Sequence, residues 1–229
     1  MLHIDVTIFL LSGMVEVGPW SDGHPLPNPL FSVGAVRIRT TSQCCHVRGK
    51  NKCTIISYMK LSSNEFNIGD ALQVVMKQVM TLSQERQVEI ICDVPAEVTT
   101  MQLYGDNLRL QQVLSDFLSN TIFFTPSFQG LSVTFKVTSR KQSIGTKMQL
   151  VHLEFRISHP APGIPESLVQ EMFHHSPGTS REGLGLYISQ KLVKIMSGTV
   201  QYLREAEGST FIILVEFPLI DQIDCYKNS

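Results

Sequence analysis

Between Asp106 and Pro126 the apolar residues Leu110, Val113, Leu114, Phe117, Leu118 and Ile122 recur at intervals of three and four, which draws a single apolar stripe along a helix. Asp106 stands where an N-cap belongs, because its carboxylate can accept from the unpaired amides of a first turn. Pro126 stops the pattern, since proline clashes with a continuing helix and lacks an amide hydrogen. The flanking patterns are consistent with a second layer. Leu72, Val75, Met76, Val79 and Met80 sit at helical spacing, and a strand-like run follows over 88–92. Residues 131–137 and 150–158 are strand-like and are joined by a polar stretch, 139–149, that contains Gly145 and reads as the longish loop of a hairpin. Pro165 opens a short helix through Phe173. A further helix is expected over 184–196, with Gly198 as its left-handed cap, and two strands over 199–204 and 210–217 close the pattern around a turn at 205–209. This order predicts an α+β fold, a two-layer sandwich of a mixed β-sheet covered on one face by helices.

The chain divides into three parts on this reading. Residues 58–220 form the domain, and 221–229 are a polar tail. Residues 1–57 remain unassigned: Pro19, Pro25, Pro27 and Pro29 crowd a stretch that also holds Gly18, Gly23 and Trp20, against regular structure, so the segment is expected to be poorly ordered or foreign to the fold. Its short apolar run, 6–11, has Asp5 before it and Glu16 after it and no basic lead, which argues against a signal peptide. No run reaches the roughly 18 apolar residues of a membrane-spanning helix, so no membrane partner is expected. With 229 residues, 43% of them apolar, the chain can bury one substantial core. A net charge of −1 provides no basic footprint for nucleic acid. Cys44, Cys45, Cys53, Cys92 and Cys225 make no regular disulfide framework, and a reducing compartment is the simpler reading. Cys44, Cys45, His46 and Cys53 match no common zinc spacing and read as loop residues.

Two features invite a nucleotide-site reading. Asp116 and Asn120 are four apart, hence on one helix face, where an amide oxygen could hold magnesium and a carboxylate could polarise water. Gly183-Leu184-Gly185-Leu186 enters a helix, and small residues there let backbone amides approach a phosphate. Each has a bland counterpart: a polar edge beside an apolar stripe, and a turn before a helix.

The motifs decide more. The segment from Asp106-Asn107-Leu108-Arg109-Leu110 through Asn120 to Pro126 resembles the N box of the histidine-kinase ATPase superfamily, the group that includes Hsp90, gyrase and sensor kinases. Pro162-Gly163-Ile164-Pro165 resembles the end of its first glycine box, Glu171-Met172-Phe173 its F box, Gly183-Leu184-Gly185-Leu186 its second glycine box, and Ser209-Thr210-Phe211 with the residues after it the closing strand. These motifs run in family order over residues 66–219, which implies the Bergerat fold. More narrowly, Leu103-Tyr104-Gly105-Asp106, Asp93-Val94-Pro95-Ala96-Glu97-Val98 and Gly198-Thr199-Val200-Gln201-Tyr202-Leu203 are similar to the C-terminal module of plant phytochromes, the C type being one candidate.

The resemblance implies ATP and magnesium as ligands, and the chain departs from it at several points. In active members an aspartate of the first glycine box accepts from the adenine amino group; the matching position is His159. A neutral imidazole accepts one bond, a protonated one repels the donor, and the lost pairing costs about 1–3 kcal/mol, or roughly tenfold to a hundredfold in affinity. Ala161 stands for a glycine of that box between Pro160 and Pro162, which stiffens the loop. Asp116 replaces the asparagine usual in sensor kinases, while Asn120 keeps the magnesium position; a carboxylate at 116 resembles hydrolytic members, whose base is glutamate. The lid 174–182 is nine residues long and ends in Glu182, which faces the phosphate route. No helical periodicity for a phospho-acceptor hairpin runs through 1–57, where His3, His24 and His46 are the only histidines. Cys45-His46 resembles a bilin-attachment dipeptide without its pocket, so no bilin is expected.

The residual nucleotide pocket is thus expected at Asn120, His159, Gly163, Gly183 and Gly185, with Asp116 as its one catalytic candidate and Asn120 as its magnesium ligand. The resemblance implies a signalling output module for red and far-red light, a pseudokinase rather than an active histidine kinase, that works through protein signalling partners or as a homodimer in cytoplasm and nucleus. The alternatives are a weak ATP-binding kinase or ATPase, and a truncated fragment without function.

Overall fold

The computed structural model describes residues 61–127, 130–144, 148–160, 163–174, 176 and 178–220, all within one compact unit, Asn51–Ser229. The readings made for 1–57 and 221–229, and those resting on Ala161 and Pro162, lie outside the described residues.

Twelve elements follow one another: β1 (Asn64–Asn67), α1 (Ile68–Arg86), β2 (Glu89–Asp93), α2 (Ala96–Thr99), β3 (Gln102–Gly105), α3 (Asn107–Phe124), β4 (Ser132–Ile144), β5 (Met148–Pro160), α4 (Glu166–Phe173), α5 (Arg181–Ile195), β6 (Thr199–Arg204) and β7 (Gly208–Pro218). Five strands form a mixed sheet in the order β2-β4-β5-β7-β6, with β2 parallel to β4 and every other pair antiparallel. β1 and β3 make a separate antiparallel pair.

Alternation along the strands builds the two layers. Val133, Phe135 and Val137 of β4, Leu153, Phe155 and Ile157 of β5 and Phe211, Ile213 and Val215 of β7 are all buried, whereas Lys136, Arg156 and Glu216, on the opposite pleat, are exposed. The buried face meets the helices. Leu110, Val113, Leu114, Phe117, Leu118 and Ile122 of α3 are all completely buried, as their spacing predicts, and Phe117 packs edge-on against Phe211 at 4.9 Å between ring centroids. Asp106 caps α3 as expected, its Oδ1 accepting from the Arg109 amide at 3.0 Å while Oδ2 accepts from the Ser62 amide at 2.8 Å. The helix closes at Thr125, one residue before Pro126.

Four expectations need correction. The loop foreseen over 139–149 is mostly strand, because the β4–β5 ladder runs on through polar, exposed residues to the pair Ile144↔Met148. Pro165 is the residue before α4 rather than its first residue. α5 begins at Arg181, capped by Ser180, so Gly183 and Gly185 lie within the helix and do not precede it; the segment from Phe173 to α5 shortens accordingly to 174–180. The left-handed residue after α5 is Ser197 (φ 59°), not Gly198. Ser197 and Gly198 donate their amides to Lys194 and Val193 carbonyls, which is the Schellman pattern. Gly198 is small for a different reason: a Cβ there would sit 2.3 Å from the Leu214 carbonyl oxygen.

Candidate functional site

The expected site residues fall into three groups. The first lies where α3 packs on α5. Asp116 Oδ2 accepts from the Ser189 hydroxyl at 2.8 Å, and Asn120 donates its amide hydrogens to the Asp116 carbonyl at 2.8 Å and to Oδ1 at 3.3 Å. Burial pushes the Asp116 carboxyl up to about 6, outweighing the two hydrogen bonds that pull it down. A methyl group on Gly185 would stand 3.4 Å from Asp116 Oδ1, an ordinary van der Waals contact, so Gly185 faces the carboxylate across the two helices without having to be glycine for room. Ser189 was not foreseen; its signal was the spacing of four from Gly185, which sets both on one face of α5.

The second group is at the start of α5. The Ser180 hydroxyl accepts from the Gly183 amide at 3.0 Å, and the Ser180 carbonyl from the Leu184 amide at 2.9 Å. Ser180 in turn donates its own amide, at 3.1 Å, and its hydroxyl to Glu171 Oε2. Gly183 makes room for this contact, since a Cβ there would fall 1.8 Å from that oxygen. Glu171 was read only as part of a motif. Glu182, expected on the phosphate route, lies half-buried in the first turn of α5.

The third group is at the end of β5. His159 and its cross-strand neighbour Ser209 are each 3% exposed, and neither the two imidazole nitrogens nor the Ser209 hydroxyl finds a hydrogen-bond partner among the described residues. Burial first, and the Arg204 guanidinium second, drive the His159 pKa down to about 4, so the ring is neutral at physiological pH. Gly163 (φ 79°) packs into the same corner: a Cβ would sit 2.4 Å from Ser209 Oγ and 2.9 Å from the Tyr202 hydroxyl oxygen. β6 holds the next residue by both backbone groups, because the Ile164 amide donates to Tyr202 at 3.1 Å and the Ile164 carbonyl accepts from Arg204. Arg204 also lies 3.6 Å from the Glu166 carboxylate. Nothing in the local sequence announces Tyr202, Arg204 or Ser209 as members of this corner.

The structure thus gathers Asp116, Asn120 and Gly185 around Ser189, and Gly183 around Glu171 and Ser180; no hydrogen bond among the described residues joins either to the His159 group. Among the described residues no three His, Cys, Asp or Glu side chains converge to hold a metal ion.

The family model for histidine kinase-, DNA gyrase B-, and HSP90-like ATPases matches residues 105–219. Phytochrome C of Oryza sativa subsp. indica is 60% identical over 162 residues, covering 71% of this chain and 14% of that protein. Phytochrome C of Arabidopsis thaliana is 60% identical over 165 residues, 71% of this chain and 15% of the relative. The chain therefore spans about a seventh of the length of these curated relatives. Among solved structures, the histidine kinase AdeS of Acinetobacter baumannii superposes with a TM-score of 0.51 at 20% identity, covering 69% of each chain. Full-length ShkA in complex with AMPPNP superposes with a TM-score of 0.52 at 23% identity, covering 70% of this chain and 32% of that one. These likenesses establish the fold.

Proposed function

The chain belongs to the histidine kinase-, DNA gyrase B-, and HSP90-like ATPase family, and from that premise we propose that it acts as the C-terminal signalling output module of a phytochrome-like photoreceptor, with a nucleotide pocket degraded at the end that would read the base. The observation that carries this reading is His159. A carboxylate would accept from an adenine amino group; the buried, neutral imidazole has at most one acceptor nitrogen, and Ile164, five residues on, is held by Tyr202 and Arg204. The residues present fit adenine poorly. They fit magnesium no better, because both Asp116 oxygens already accept hydrogen bonds and Asn120 supplies a single neutral amide oxygen. Residues 1–57 carry no helical periodicity for a phospho-acceptor hairpin. Output then passes through the surface to protein signalling partners or to a second copy of the chain, in cytoplasm and nucleus. No helix of the described residues is long and apolar enough to cross a membrane.

One observation favours the weak-ATPase alternative: Asp116, with its pKa near 6, has the basicity of a carboxylate tuned for proton transfer. Calorimetric titration of the chain with magnesium-ATP separates the two. No heat at millimolar ATP is expected; a dissociation constant tighter than about 100 μM, roughly −5.5 kcal/mol, would overturn the degraded-pocket reading. The double substitution His159→Asp with Ala161→Gly is expected to recover affinity, and an unchanged titration would place the block elsewhere.

A further inference from the structure

The α5 helix start is the second place where the chain departs from an open nucleotide site, and the departure is electrostatic. A helix N-terminus carries a partial positive charge and unpaired amides, which is why it attracts anions. Here an anion from the same chain already occupies it. Glu171, projecting from α4, accepts from the Ser180 amide and hydroxyl with one carboxylate oxygen, and that oxygen stands 1.8 Å from where a Cβ on Gly183 would be. The Gly183 and Leu184 amides are taken by Ser180 itself. No Lys, Arg or His among the described residues forms an ion pair with Glu171, and the described donors to its carboxylate are the Ser180 amide and hydroxyl at the end of α5.

We propose that Glu171 makes an autoinhibitory contact: its carboxylate occupies the N-terminal end of α5 in place of a ligand phosphate and keeps polyphosphate groups out. Gly183 then serves the internal carboxylate, lying flat on the first turn, and not a bound nucleotide. Glu182 in that same turn adds a second negative charge. This deepens the degraded-pocket reading and rests on it, but it concerns the phosphate end, which His159 does not touch.

The test uses the full chain and magnesium tripolyphosphate, a probe without a base and therefore blind to His159. The wild type is expected to give no heat of binding, and Glu171→Gln, which removes the charge but keeps the shape and an acceptor for the Ser180 amide, is expected to bind at least roughly tenfold more tightly than the wild-type limit. Binding by the wild type would overturn the contact as a barrier. So would a Glu171→Gln chain that melts like the wild type yet stays silent. If the variant does not fold, hydrogen exchange on the wild type decides: a protected Ser180 amide is expected, and exchange at the rate of an open chain would overturn the contact. Should the wild type bind magnesium-ATP but not tripolyphosphate, the degraded-base reading fails while the Glu171 contact stands.

Discussion

Asp116 and His159 respond to acid in opposite senses. Asp116 has its pKa raised from 3.8 to about 6, so the folded state holds that proton more tightly than the unfolded one. Its contribution to stability is fully present below about 3.8 and is lost as the pH rises through 6. His159 has its pKa lowered from 6.5 to about 4, so its contribution is present above 6.5 and is lost as the pH falls through 4. Each is worth up to about 3 kcal/mol as an order of magnitude, and between pH 4 and 6 the two largely offset each other. Single variants should expose the hidden slopes. Asp116→Asn, whose amide oxygen can still accept from Ser189, is expected to be more stable than wild type by about 1–3 kcal/mol at pH 7.5, with the difference shrinking toward pH 4 in urea titrations. Lower stability at pH 7.5 would mean that the Ser189 and Asn120 bonds outweigh the cost of burying the charge. His159→Gln should lose less stability than wild type between pH 6.5 and 4, and a parallel pH profile would show that the ring takes up its proton at the same pH folded and unfolded, against a lowered folded pKa.

At the scale of elements, one glycine within α5 and one just after it have different duties, and substitution should separate them. Gly185 is inside the helix and an added methyl group would make an ordinary contact with Asp116. Gly185→Ala is therefore expected to stabilise by about 0.5–1 kcal/mol through helix propensity alone, read as a shift of the denaturation midpoint; a loss would indicate that α3 and α5 cannot accept the methyl. Gly198, just beyond the helix, meets the Leu214 carbonyl and the Val193 and Val215 methyls. Gly198→Ala should cost about 2–3 kcal/mol, since a strand backbone cannot move aside as a side chain can. The same segment shows where local patterns mislead: a glycine near a helix end suggests a left-handed cap, yet Ser197 takes that conformation because the approach of β7 leaves position 198 no room for a side chain.

Across the whole molecule, α3 is the beam laid over the sheet, and Phe117→Ala is expected to destabilise by about 3–5 kcal/mol because it empties the Phe117–Phe211 contact between the layers. Amides of β5, bonded on both sides, should be the slowest to exchange, and those of the four-residue pair β1–β3 should open first. Much of this architecture was legible. The stripe of α3, the cap at Asp106, the stop at Pro126 and the alternation in β4, β5 and β7 are periodicities written over ten or more residues, and a long periodic pattern determines which face is buried whatever it packs against. β1, α2 and β3 were missed, because four residues carry too few repeats to show a period. The strand ends within 139–149 were missed because their polar side chains conceal a ladder made by backbone groups. In the site, the sequence placed Asp116 beside Asn120 through their spacing of four and marked His159 through its motif. Only the tertiary structure brought Ser189 to Asp116, Glu171 to Gly183, and Ser209, Tyr202 and Arg204 around His159 and Ile164. Periodicity within one element is a local property of the chain; a hydrogen bond between residues 9 to 73 positions apart exists only once the layers have packed.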